Sequence, residues 1–311
     1  MENTLTKNKK AGYWRGYWSR HWSLYAMLLL PVVFIFIFRY VPMVHLYRGF
    51  AVNNTIAPLR DLEFVGLDNF RNAFTNQIFI NAIRNTLLFS ALDLLLGFPA
   101  PIILALLLNE LKFERFKKIT QSISYVPNFI SWVIVGGLAT TLFSTHIGAV
   151  NGFIESWGFE AIPFLEREGH WIISNVLISI WRGVGWSSII YLAAITNISP
   201  ELYEAAEIDG ASRLRKMWHI TLPGIRPVIA TLFTLALGGI MAAELDRFVA
   251  LENSFVRGVS EVIPIFVWRW GLQANQFALA TVIGIFQGII GMIMLLSGNW
   301  FVKKMGGAGF W

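Results

Sequence analysis

The 311-residue sequence predicts an all-α membrane protein with six transmembrane helices, and three observations carry that prediction. Hydrophobic residues make up 55% of the chain and charged residues only 14%, far from the balance of a soluble domain. Uncharged runs reach the roughly 20 helical residues that a bilayer core of about 30 Å requires, 277–302 being the clearest. Lys and Arg gather beside those runs rather than on one aromatic-studded basic face. The formal charge of +6 therefore reads as membrane topology and argues against nucleic-acid binding.

The elements follow in order. Residues 1–22 form a basic segment similar to the n-region of a signal peptide, but the run LYAMLLLPVVFIFIFRYVPMV continues past it without a small-residue cleavage site. The first span, near 23–45, is thus expected to be retained. Further spans are expected at 84–108, 123–143, 171–196, 226–246 and 277–302, the second interrupted by Asp93 and the fourth by Arg182. With the amino terminus inside, the inner segments 7–20, 112–118, 213–226 and 303–304 carry 15 basic residues against seven in the outer ones. The positive-inside rule then puts both termini in the cytoplasm, and with them the segment between spans four and five.

Absent chemistry narrows the function. Zero cysteines exclude disulfides, thiolate–metal sites and cysteine nucleophiles. Gly-Lys never occurs, so there is no phosphate-binding G-x-x-x-x-G-K-[ST] loop, and H-E-x-x-H is also missing. GVGWSS from Gly183 lacks the third glycine of a dinucleotide loop and lies inside an apolar run, which suits helix packing or a local kink. No catalytic residue, metal ligand or cofactor is assigned to this chain.

The most charged internal stretch is ELYEAAEIDGASRLRKMWHITLP, 201–223. Ser199 suits a helix cap, Pro200 the first helical position, and Glu201 and Glu204 the positive end of the helix dipole. Asp209-Gly210 supplies a residue tolerant of the left-handed region, Ser212 can cap a second short helix, and Leu222-Pro223 ends it. Helix, turn, helix is the expected form. By its chemistry alone the loop would lie on anionic lipid through Arg213, Arg215 and Lys216, or dock a soluble partner.

Glu204-Ala205-Ala206, Gly210 six residues after the Glu, then nine residues and Ile220-x-Leu222-Pro223 together resemble the EAA signature of ABC importer permeases. FVGLDNFRNAF (64–74), ISYVPNFISWVIVGGL (123–138), GWSSIIYLAAI (185–195) and NWFVKKMGGAGFW (299–311) extend the resemblance along nearly the whole chain. It is closest to the carbohydrate-importer branch that handles complex oligosaccharides and polysaccharide fragments. The segment 240–263 departs from that branch. The resemblance implies a permease domain over 23–311 whose loop 199–223 contains a coupling helix seated on an ATP-hydrolysing subunit, with Glu204, Ala205, Ala206, Asp209, Gly210, Ile220, Leu222 and Pro223 carrying the coupling. It further implies a multi-pass protein of the bacterial cytoplasmic membrane, itself no enzyme. Its partners would be a second permease in a heterodimer, two ATP-binding subunits holding ATP and Mg, and an extracytoplasmic solute-binding protein. An importer of another solute (peptide, polyol or lipid-linked species), or a membrane scaffold that only recruits an ATPase, are the alternatives.

Polar and aromatic residues at membrane depth supply pathway candidates. Asp93 and Arg182 either pair with each other or with helix carbonyls, or line the path. Trp132, Trp181 and Trp186 could stack on sugar rings or serve lipid and core. Glu244 and Asp246 could meet sugar hydroxyls or sit in an outer vestibule with Arg247, and Gln287 lies in GIFQG, a close-packing pattern. PIFVWRWGL, 264–272, is expected at the outer interface.

Overall fold

In lipid a helix satisfies its own backbone without closing into a barrel, and helices account for most of this chain. The fold is that of a computed structural model, which describes residues 2–54 and 57–304. Of the terminal NWFVKKMGGAGFW stretch, 305–311 lie outside the described residues.

Helix α1 (Glu2–Ile35) runs on through wider and tighter turns to Phe50. Then come α2 (Asp68–Thr75) and α3 (Gln77–Leu92), which a π-turn at Asp93–Gly97 joins to α4 (Pro99–Asn109). They are followed by α5 (Glu114–Tyr125), α6 (Trp132–Phe143), α7 (Ala149–Ser156) and α8 (Glu168–Thr196). The short α9 (Pro200–Ile208), α10 (Arg213–Lys216) and α11 (Leu222–Gly224) lead into α12 (Arg226–Gly238). After α13 (Leu245–Leu251), α14 (Arg257–Ser260) and α15 (Ile263–Phe266), the described chain ends with α16 (Phe277–Lys304).

Four helical segments are long and apolar enough to cross a membrane: 20–50, 77–109, 168–196 and 277–304. Two further segments qualify only as bent pairs, 114–129 with 132–143 at 103° and 213–224 with 226–238 at 60°. The third span expected as one rod is thus broken. Pro127 has no N–H to give the helix, Ile130 and Ser131 are extended, and Ser131 Oγ accepts from Ile134 N to start α6. The fifth ends at Gly238 rather than 246, where Gly238-Gly239 lowers the cost of leaving the helix, and 239–244 is not helical.

Three apolar clusters hold the bundle. Phe89, Trp132, Trp171, Val176 and Phe248 tie α3, α6, α8 and α13 together, with Phe89 edge-on to Trp171 and to Phe248. Phe79, Met241, Ile263, Phe266 and Val282 join α3 and α15 to α16. Ile102, Tyr191, Ile195 and Ile225 close α4 on α8 and the start of α12. Ile265 and Phe266 are fully buried, so the start of 264–272, the segment expected at the outer interface, is core. No residue in the most apolar window of 20–50 is buried, and the segment packs on α16 near its end, where Gly49 is buried beside Thr281 and Val282.

GVGWSS, expected to serve helix packing or a local kink, makes a close approach at its second glycine. A Cβ on Gly185 would run into the Ser124 carbonyl oxygen, so α8 touches α5 backbone to backbone, and α8 stays helical through GVGWSS. Gly284 and Gly288 of GIFQG have no atom within 4 Å of their would-be Cβ and make no tight packing in this chain.

Candidate functional site

Two regions gather the polar groups, one inside the bundle and one on its surface. Inside, the site begins with Asp93, where the second span widens into a π-turn closed by Phe98 N–H donating to Asp93 O at 2.7 Å. Such bulges recur at functional positions because they turn one side chain out of the helical register. Asp93 Oδ2 receives Arg247 Nη1 at 2.7 Å, and Arg247 Nε donates to Asn175 Oδ1 at 2.7 Å. The guanidinium sits 5.8 Å from the Phe89 ring and 5.3 Å from the Phe248 ring. A cation this buried needs a paired carboxylate, since stranding either charge costs several kcal/mol.

Asp93 and Arg182 do not pair with each other; Arg182 bonds a backbone carbonyl instead, and Asp93 takes Arg247. Arg182, mid-way along α8, donates from Nε to the Ile130 carbonyl at 3.1 Å, lies 4.7 Å over the Trp132 ring, and faces Glu244 Oε1 at 3.8 Å. Trp132 Nε1 donates to that same Glu244 oxygen at 2.5 Å. Glu244 stands at the start of α13 yet does not cap it. Its salt-bridge partner is Arg182 rather than Arg247, because Arg247 has turned inward to Asp93. Arg182 therefore ties both interrupted segments, holding the Ile130 carbonyl in the break of 114–143 and the Glu244 carboxylate at the end of the non-helical stretch 239–244.

The gap itself is satisfied from neighbouring helices. Ser90 Oγ donates to Ile240 O at 2.5 Å and Gln287 Nε2 to Met241 O at 2.7 Å. Non-helical backbone at membrane depth persists only with such partners or beside water. Around it lies a cavity of about 340 Å³ lined by Ser90, Asp93, Ser179, Glu244 and Arg247 among smaller and apolar residues. Trp132 is buried and has no face to offer, whereas Trp186, one turn beyond Arg182, is half exposed against Phe129 outside this cavity. Asn175 and Ser90 escaped sequence inspection, and Arg247, expected in an outer vestibule with Glu244 and Asp246, lies inside the bundle instead. The Phe248–Leu251 spacing beside Arg247 was the signal that this segment returns to the core.

On the surface, α9 ends at Gly210, whose φ of +72° is the left-handed turn expected of it. Pro200 takes the first turn, but Ser199 makes no capping bond, whereas Ser212 Oγ accepts from Arg215 N. The second helix runs one step past Pro223, bending at Ile225. Tyr203 and Thr221 hydroxyls meet at 2.9 Å, and Lys216 Nζ reaches Glu207 Oε1 at 2.5 Å, clasping the helices together. That bond holds the Glu207 carboxyl below the usual carboxylate range. Leu202, Ile208, Leu214 and Trp218 remain exposed, as do Glu204, Ala205, Asp209 and Pro223. Ala206, Ile220 and Leu222 are half buried, Leu222 against the third cluster. Among the described residues no group of three or more His, Asp or Glu could hold a metal ion.

A family model described as the binding-protein-dependent transport system inner membrane component matches residues 74–307. The chain is 41% identical over 288 residues to the polygalacturonan/rhamnogalacturonan transport system permease protein YteP of Bacillus subtilis (strain 168), covering 93% of this chain and 90% of that one. It is 36% identical to Protein LplB of the same organism over 94% of this chain and 92% of that one. Among solved structures, a bacterial alginate ABC transporter in complex with alginate pentasaccharide-bound periplasmic protein contains a chain that is 37% identical, with a TM-score of 0.86 over 94% of this chain and 98% of that one. The chain belongs to the family of binding-protein-dependent transport system inner membrane components.

Proposed function

We propose that the chain is the six-span permease subunit of an ATP-driven importer of oligosaccharides or polysaccharide fragments, with α9 as its coupling helix. The observation that carries the coupling role is the 199–223 loop. It is internally clasped, turned by a left-handed glycine, and presents Leu202, Ile208, Leu214 and Trp218 to an absent partner. A rigid helix with an exposed apolar face transmits displacement; a floppy loop would absorb it. Its small Ala205 permits close approach, and the surrounding charges fix the pose.

In this reading both termini and the 199–223 loop are cytoplasmic, and the bent pairs 114–143 and 213–238 count as spans three and five. A second permease completes the pathway. Two ATPase subunits bind ATP and Mg, and an extracytoplasmic binding protein delivers the solute. ATP-driven closure of the ATPases moves α9, and the two permeases alternate access around the cavity beside the interrupted fifth span. This chain performs no covalent chemistry. The saccharide assignment draws support from the polygalacturonan/rhamnogalacturonan permease and the alginate transporter it resembles.

The test is ATPase stimulation of the reconstituted complex with its binding protein across oligosaccharides, simple sugars, polyols and peptides. Stimulation confined to one glycan class is expected. Stimulation only by a peptide or polyol would keep the importer and overturn its solute class, and silence in a fully assembled complex would favour a scaffold.

A further inference from the structure

Resting on that saccharide reading, the cavity beside the interrupted span narrows the solute to a charge class. Its polar surface is unevenly available. Asp93 and Glu244 keep 40% and 51% of their side chains exposed, whereas Arg247 keeps 4% and Arg182 19%. Arg247 Nη2 is shielded and has no hydrogen-bond partner, so a solute cannot reach it. The two carboxylates, by contrast, each engage the protein through one oxygen only. Asp93 uses Oδ2 and Glu244 Oε1, which leaves Asp93 Oδ1 and Glu244 Oε2 without a partner among the described residues. Phe89, Phe98 and Ile240 give the same cavity an apolar wall, and its volume of about 340 Å³ is at the small end of ligand pockets.

That combination suits an uncharged sugar ring. Vicinal hydroxyls donate to carboxylate oxygens in charge-assisted bonds, and the C–H face of a pyranose packs on an aromatic wall. A uronate would add a third anion to a site whose carboxylates are more exposed than the cations they pair with, where weak screening makes like charges costly. We propose that Asp93 and Glu244 form a charge filter, making the cavity a subsite for neutral saccharide units that discriminates against uronate-bearing chains. Polygalacturonan and alginate, the solutes named for the similar proteins, are polyanions.

The experiment is equilibrium dialysis with the purified complex of both permeases and ATPases, the binding protein omitted so that its own selectivity does not enter. The probes are a tetrasaccharide of galactose and one of galacturonate with the same linkage. The galactose chain is expected to bind at least about tenfold more tightly, the size of one unfavourable charge contact. Glu244→Gln keeps an acceptor for Trp132 and should narrow the ratio to about threefold or less. Asp93→Asn, which still accepts from Arg247, should move it in the same direction. Equal or tighter binding of galacturonate, or a ratio unchanged in both variants, overturns the filter. If neither sugar is retained although a saccharide-loaded binding protein still stimulates ATP hydrolysis, the filter falls and the importer reading stands. If no saccharide stimulates hydrolysis, the importer reading itself has failed and the filter with it.

Discussion

The 199–223 loop and the cavity beside the interrupted fifth span are built from the same residue types and held together in opposite ways. In the loop, the partners Glu207 and Lys216 lie nine residues apart and Tyr203 and Thr221 eighteen, with Glu207 exposed, Lys216 and Tyr203 half buried and Thr221 buried. At the cavity, Asp93 and Arg247 are separated by 154 residues and Trp132 and Glu244 by 112, with both arginines largely buried. A surface ion pair contributes a fraction of a kcal/mol, while a buried charge that loses its partner costs several. The first region can therefore be rebuilt at little thermodynamic cost and is free to serve as a moving contact. The second is fixed into the bundle.

The largest expected effect tests that contrast directly. Asp93→Ala strands the Arg247 guanidinium inside the bundle and should destabilise the purified complex by about 3 kcal/mol. Adding Arg247→Met should recover most of the loss, because a long apolar side chain fills the space between Phe89 and Phe248 without a charge to satisfy. Thermal unfolding of the four members of this cycle measures the coupling. A single and a double variant with the same midpoint would mean that Asp93 contributes nothing to holding Arg247.

Next in size is a pair of glycines two positions apart. Gly185→Ala drives a methyl group into the Ser124 carbonyl and should cost about 1–3 kcal/mol through displacement of α8 from α5. Gly183→Ala meets nothing and should be neutral or stabilising by up to about 1 kcal/mol, the helix propensity gained. Equal effects of the two on the unfolding midpoint would remove the close α5–α8 contact from the account.

These two glycines also show where sequence legibility stops. GVGWSS reads identically at both, and only an element 60 residues earlier decides which one is needed. Likewise Asp93 and Arg182 announce themselves as charges inside apolar runs, but their partners follow from how four helices meet. Arg247 was assigned to an exterior loop because hydropathy carries the fifth span straight through Gly238-Gly239, and a span continued to 246 leaves Arg247 outside. The loop was legible because its signals are local: Pro200 at a helix start, Gly210 at a left-handed turn, and the Glu-Ala-Ala to Leu-Pro spacing all act within one short segment. Even there Ser199 misled, since capping depends on a side-chain rotation that composition does not fix.

A third prediction moves to the loop. Proline cannot adopt the φ of +72° at Gly210, so Gly210→Pro must unwind the corner between α9 and α10. Binding-protein-stimulated ATPase activity of the assembled complex should fall by about tenfold or more, as expected when roughly 1.4 kcal/mol of coupling is lost. Helix content and assembly with the second permease should be unchanged, since the damage stays outside the bundle. Normal stimulated activity in this variant would show that the corner does not transmit the motion.

The smallest effect concerns pH and separates the two regions by reach rather than by size. The hydrogen bond from Lys216, followed by its charge, lowers the Glu207 carboxyl below its ordinary value, so folding favours the ionised form. A depressed folded-state pKa contributes stability that is fully present above the ordinary carboxylate value and is lost as pH falls through the lower, folded-state value. Glu207 is exposed and the pair lies outside the bundle, so the clasp alone should loosen while the bundle is unaffected. Hydrogen-exchange protection over 203–216, compared between wild type and Glu207→Gln at each pH so that intrinsic exchange cancels, should differ at neutral pH. That difference should persist through the ordinary carboxylate range, near pH 4.5, and vanish only below it, while 168–196 shows none at any pH. A difference already gone above that range would mean that the Lys216 bond does not hold Glu207 ionised, and a parallel change in 168–196 would mean that the loop is not mechanically separable from the bundle.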